Sequence, residues 1–159
     1  MNAFDALTLV CAIGCGVVAS VFFAFSTSVM NALGKIPAPC GIAAMQAINV
    51  VIINPLFLGV FLGTAFACVV AIVACLLQPG LPGIFWVLSG GVLYLVGSFL
   101  VTMRFNVPRN NVLARLNPAG PEAITAWRAY LTTWTAWNHV RTIASLAASI
   151  LFMLRAFFE

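Results

Sequence analysis

Acidic side chains are nearly missing from this chain. Asp5, Glu122 and Glu159 are its three carboxylates among 159 residues, and His139 is its single histidine. Charged residues amount to 6% of the total, against about a quarter in a soluble domain. A chain so short of charge cannot solvate a globular surface. The scarcity also narrows the chemistry. One histidine cannot give bis-histidine haem ligation, and carboxylates this scattered make no facial triad for iron. No carboxylate sits inside an apolar run, where a small proton-coupled exporter usually carries one. The five cysteines, Cys11, Cys15, Cys40, Cys68 and Cys75, are odd in number and contain no C-x-x-C pair. That argues against a disulfide framework, a thiol relay or a thiol-dependent quinone reductase. No metal or other cofactor is expected, and no contact with nucleic acid.

What the chain does have is apolar length. Hydrophobic residues make up 64% and the mean hydropathy is +1.13, which reads as an integral membrane protein. The expected fold is all-α: a four-helix transmembrane bundle forming a single domain over residues 1–159, with long second and fourth helices extending beyond the bilayer. The first run begins almost at Met1 and reaches Met30, too long for a signal-peptide core and without a basic leader, so it reads as a retained span over residues 4–30. Two prolines and two glycines in "NALGKIPAPCG" stop it. Span two covers 42–77 and is interrupted near Pro55, which bends or divides it and leaves 42–54 as an angled entrance segment. The turn "QPGLPG" leads to span three over 84–103, followed by a polar connection, "RFNVPRNNVLARLNPAG". Span four runs from Pro121 to Phe158, entering the membrane from about residue 140.

Basic residues orient the bundle. Lys35, Arg104, Arg109, Arg115, Arg128 and Arg141 gather on one side, whereas the other side holds Asp5, Arg155 and Glu159. The positive-inside rule then places both termini outside and the Arg-rich side in the cytoplasm, with the plasma (inner) membrane of a bacterium as the expected location. Anionic lipid heads are natural partners for Arg104, Arg109, Arg115 and Arg128. Small residues at Gly59 and Gly63, and at Ala12, Gly16 and Ser20, allow close helix approach, and self-association into a homo-oligomer is a further partner class.

Helical spacing maps the last span. At about 100° per residue, Trp127, Tyr130, Trp134, Asn138, Arg141, Ser145, Ser149 and Phe152 form one stripe. His139 lies about 120° away, beside Arg128, Thr132 and Thr135. Polar groups in a span face the bundle interior or a wet cavity, so Asn138 and Arg141 should point inward. On span two, Gln46, Asn49, Ile53 and Phe57 share a face, with Asn54 turned aside. The two polar faces meet at one depth, with Asn106, Asn110 and Asn111 of the third connection available to cover them. Aromatic faces, amides and one fixed positive charge converge there, as in a pocket for a planar, acidic aromatic molecule. A purely structural reading stays open: amides bonding across helices, Arg141 snorkelling to phosphate, and Trp127, Tyr130 and Trp134 as an interfacial belt.

Four motifs in this order, "FSTSVMNAL", "MQAIN", "FNVPRNNVL" and "WRAYLTTWTAWNHVRT", resemble the anthrone oxygenase-like family of small integral membrane proteins, named for members that oxidise anthrones to anthraquinones. The resemblance carries over Gln46 and Asn49, then Asn106, Pro108 and Asn110, then Trp127, Tyr130, Trp134, Asn138 and Arg141. It implies binding of a planar phenolic or quinone-like compound near the cytoplasmic interface and cofactor-independent oxygenation of it. Arg141 would stabilise an anion, helped by Asn138, Asn49 and Gln46, and Trp127, Tyr130 and Trp134 would form a stacking wall. Asn106 and Asn110 join the substrate-binding set. His139 is the candidate base, since histidine is the side chain that exchanges protons near neutrality. The alternative is a non-enzymatic scaffold or assembly partner using the same face for lipid or another membrane protein.

Overall fold

The computed structural model of the chain describes residues 2–157. Met1, Phe158 and Glu159, assigned above to the start of the first run, the end of the last helix and the outer side, lie outside the described residues. The described chain is a helical bundle of five helices: α1 (Ala3–Lys35), α2 (Ala38–Val51), α3 (Pro55–Leu77), α4 (Ile84–Ala114) and α5 (Ala123–Phe157). All but α2 are long and apolar enough to cross a membrane. With these four apolar helices the chain is an integral membrane protein.

Each boundary has a local cause. Asn2 opens α1 with a capping box: its side chain accepts from the Asp5 amide at 2.9 Å, and the Asp5 carboxylate accepts from the Asn2 amide at 2.8 Å. Pro37 precedes α2 as its cap residue. The break at Pro55 divides the second run, and Asn54 holds both new ends. Its Oδ1 accepts from the Phe57 amide at 3.0 Å, and its Nδ2 donates to the Val51 carbonyl at 3.0 Å. In an apolar surround those two backbone groups would otherwise go unsatisfied. Gly83 starts α4 at φ 68°, a left-handed conformation, and packs so close to Arg155 that a Cβ would lie 2.7 Å from its Cγ.

The third span, α4, differs from its reading as a span followed by a polar connection. It continues unbroken to Ala114, so that Asn106, Pro108, Asn110 and Asn111 are helical and the connection shrinks to 115–122. Pro108 would normally end a helix by colliding with the preceding turn. Here the turn before it, Thr102–Asn106, is widened to π-helix, and Arg109 donates to the Phe105 carbonyl at 2.7 Å. The fourth span starts at Ala123 and ends in a short 3-10 turn, Arg155–Phe157.

α1 packs along α5 and against α3, and α4 packs against α3 and α5. Gly16 brings α1 close to Ser149 of α5, whose hydroxyl donates to the Ala12 carbonyl at 2.8 Å. Gly59 and Gly63, by contrast, face outward with no neighbour within 4 Å of a Cβ. Two buried clusters result. One is built from α1, α3, α4 and the end of α5 around Cys11, Cys68, Tyr94 and Phe152. The other lies under α2, around Ile42, Met45, Trp127, Tyr130 and Trp134. The candidate site sits where the two clusters adjoin.

Candidate functional site

Every residue of the α5 stripe, Trp127, Tyr130, Trp134, Asn138, Arg141, Ser145, Ser149 and Phe152, is buried. Its centre is Arg141, whose side chain is 5% exposed. The guanidinium carbon lies 4.1 Å from the Phe22 ring centroid and 5.2 Å from that of Trp134, within reach of two cation–π contacts. One terminal nitrogen donates to the Asn138 side chain at 2.6 Å and the other to the Thr102 hydroxyl at 3.2 Å. Its Nε is buried without a hydrogen-bond partner, and among the described residues no carboxylate pairs with it. A buried cation held by neutral groups alone is costly, because neutral dipoles and ring faces repay only part of the lost hydration.

Proton counting fixes the surrounding network. The Asn138 amide donates to the Phe22 carbonyl at 2.8 Å and to the Ser26 hydroxyl at 2.7 Å. Phe22 offers only an acceptor there, so the nitrogen faces α1 and the oxygen must face Arg141. Thr142 spends its proton on the Asn138 backbone carbonyl at 2.8 Å, which makes Ser26 the donor in their 3.1 Å contact. Ser26 lies in the π-helical turn Phe25–Val29 of α1. Both Asn138 amide protons and its oxygen are thereby engaged: the side chain positions Arg141 and ties α5 to α1.

Arg141 lines a cavity of about 340 Å³. Its floor is formed by Phe22, Met45, Phe61 and Trp134, and Asn49, Thr102 and Asn110 contribute the other polar groups. Two donors fix Asn110: Tyr130 Oη at 2.8 Å and Trp134 Nε1 at 2.7 Å both reach its Oδ1. The amide nitrogen is the end left to offer a ligand. Asn49 Nδ2 is buried without a hydrogen-bond partner. The cavity thus presents amide donors and one cation on an apolar, aromatic wall, which suits a planar molecule carrying an oxyanion or carbonyl.

The sequence-derived candidates therefore separate. Arg141, Trp134, Asn49 and Asn110 line the cavity, and Asn138 touches Arg141 from behind. Tyr130 supports Asn110, and Trp127 stacks on Tyr130 at 5.6 Å, continuing the aromatic ladder to Trp134. Gln46 instead donates to the Leu113 and Leu116 carbonyls at 2.8 and 3.0 Å, closing the C-terminal end of α4. Asn106 is buried and donates to the Trp134 carbonyl at 3.2 Å. His139 is exposed and lies outside the cavity lining. Among the described residues no group of three or more His, Cys, Asp or Glu could hold a metal ion. Phe22, Phe25, Thr102 and Phe61 also line the cavity and were not singled out from the sequence. Aromatic and threonine side chains within apolar runs look like packing. The one available signal was "FST" at 25–27, polar hydroxyls in a span at the depth of Asn138.

A model of the anthrone oxygenase family matches residues 56–151, more than half of the chain. The matched segment contains Thr102, Asn110, Trp134, Asn138 and Arg141, and leaves α1 and α2 outside it. No match was found among curated proteins or among solved structures.

Proposed function

The chain belongs to the anthrone oxygenase family, and from that premise we propose that its cavity binds a planar phenolic or quinone-like molecule and oxygenates an anthrone-type carbon with dioxygen. The observation that carries the proposal is the buried Arg141 guanidinium, unmatched by any carboxylate among the described residues, on the wall of an apolar cavity. Beside Arg141 an anthrone loses a proton from its central methylene carbon to a water molecule in the cavity, leaving a carbanion delocalised onto the ring oxygen. Arg141, with the Asn49 and Asn110 amides, stabilises that oxyanion as it forms. The carbanion transfers electrons to dioxygen and a carbon–oxygen bond forms, giving a peroxide. Reprotonation, loss of the remaining C–H proton and cleavage of the O–O bond leave a carbonyl and release water. One oxygen atom stays in the product and the other becomes water, so no external reductant is needed.

The protein is then an oxidoreductase working as a four-helix bundle in the membrane, with the site near the Arg-rich interface and both termini on the far side. Turnover of a dihydroxyanthrone by the reconstituted protein under labelled dioxygen tests the reaction. One labelled oxygen per anthraquinone, at a rate above protein-free liposomes, is the expected result. No acceleration, together with phospholipid alone copurifying in the bundle, would instead favour a lipid-binding scaffold.

A further inference from the structure

The cavity lining divides sharply by exposure. Arg141, Trp134, Phe22, Phe61 and Met45 are buried, whereas Ile53, Leu62 and Met103 line the same cavity at 68, 49 and 50% exposure. These three therefore border its mouth. All are apolar, and they belong to the α2–α3 break, the second turn of α3 and the middle of α4. Val50, Val51 and Leu56, each more than 70% exposed, flank the same break in the chain. Apolar side chains this exposed are unfavourable in water, at about 25 cal/mol per Å² of exposed apolar surface, and belong among acyl chains. The polar groups of the cavity lie behind the rim: Thr102, Asn49 and Asn110 are half-buried and Arg141 is buried.

We propose that the cavity is filled sideways from the bilayer, through the mouth bordered by Ile53, Leu62 and Met103, by a ligand that enters uncharged. A carboxylate or phenolate crossing this rim would shed its hydration with nothing to replace it, whereas a neutral phenol or ketone dissolves in the acyl layer beforehand. Ionisation follows only beside Arg141. The substrate class is thereby narrowed to unconjugated, lipid-soluble aromatics, and any reaction that adds a sulfate, phosphate or sugar must come after this step. The inference rests on the cavity being the ligand site.

The test uses full-length protein in nanodiscs and follows binding of a neutral dihydroxyanthraquinone and of an anthraquinone sulfonate by rapid mixing. Ile53→Trp and Met103→Trp should slow both association and dissociation of the neutral probe about tenfold with little change in affinity, as expected for a narrowed mouth. Val73→Trp, on the outer face of α3 away from the cavity, should change neither rate and controls for folding. The sulfonate should fail to bind at concentrations that saturate with the neutral probe. Unchanged rates in both mouth variants, or equal binding of the sulfonate, would overturn lateral filling while leaving the ligand site standing. Failure of the wild type to bind either probe would remove the ligand site and this inference together.

Discussion

Arg141 and Asn138 sit three residues apart on one helix and do different work. Both amide protons and the oxygen of Asn138 are engaged by protein, so removing it takes a donor from the Phe22 carbonyl and from the Ser26 hydroxyl and an acceptor from one arm of Arg141. Asn138→Ala is expected to lower unfolding stability by about 1 to 3 kcal/mol as well as ligand retention. Arg141→Met should weaken retention while costing little stability, since it takes away a buried charge with no counterion. His139→Ala should change neither, because its side chain is exposed outside the cavity. Thermal unfolding in detergent, measured beside ligand retention, separates the three outcomes. The inward stripe was legible because a 3.6-residue period needs no knowledge of neighbours. The division of labour within it was not. Whether an amide is saturated depends on Phe22 and Ser26, more than a hundred positions away, and periodicity carries no information across that distance.

At the scale of elements, α2 is the part that turns a bundle into a site. It supplies Met45, Ile48 and Asn49 to the cavity and is held by three devices: Gly41 against Trp127, Gln46 on the end of α4, and Asn54 at the break. A Cβ on Gly41 would lie 2.8 Å from the Trp127 ring and 2.9 Å from the Leu33 carbonyl. Gly41→Val is therefore expected to lift α2, raising amide exchange across 38–51 and releasing ligand, with α3 and α5 unaffected. Asn54→Ala should cost about 1 kcal/mol as a lost helix cap, and Asn54→Asp should recover the cap but not the bond to Val51. Proline marked the division at Pro55 in the sequence, whereas α1 continues past the expected stop at Met30 to Lys35, because a single glycine at position 34 does not end a helix. The end of span three was misplaced because Pro108 and the polar residues around it look like a loop. A widened π-helical turn absorbs the proline, and nothing in composition announces such a turn.

For the whole molecule, the proposed orientation sets which bilayer leaflet supplies the cavity. Cys40 is exposed while Cys11, Cys15, Cys68 and Cys75 are buried, so it is the natural reporter. With the Arg-rich end in the cytoplasm, an impermeant maleimide should leave Cys40 unlabelled in intact cells and label it in inside-out vesicles; the opposite pattern would invert the bundle. Membrane character was plain from composition, and the family from the order of four motifs. The cavity was not, because a space is enclosed by α1, α2, α3, α4 and α5 together, and no single helix carries its outline. What the whole assembly achieves is an aromatic chamber with one fixed positive charge. The most direct measurement is the affinity of a dihydroxyanthraquinone for the wild type and for folded Arg141→Met and Arg141→Lys in nanodiscs. One molecule per chain should bind the wild type, with at least a tenfold loss, about 1.4 kcal/mol, in Arg141→Met and partial recovery in Arg141→Lys. Equal affinity in the wild type and in Arg141→Met would contradict the assignment of the charge to ligand binding.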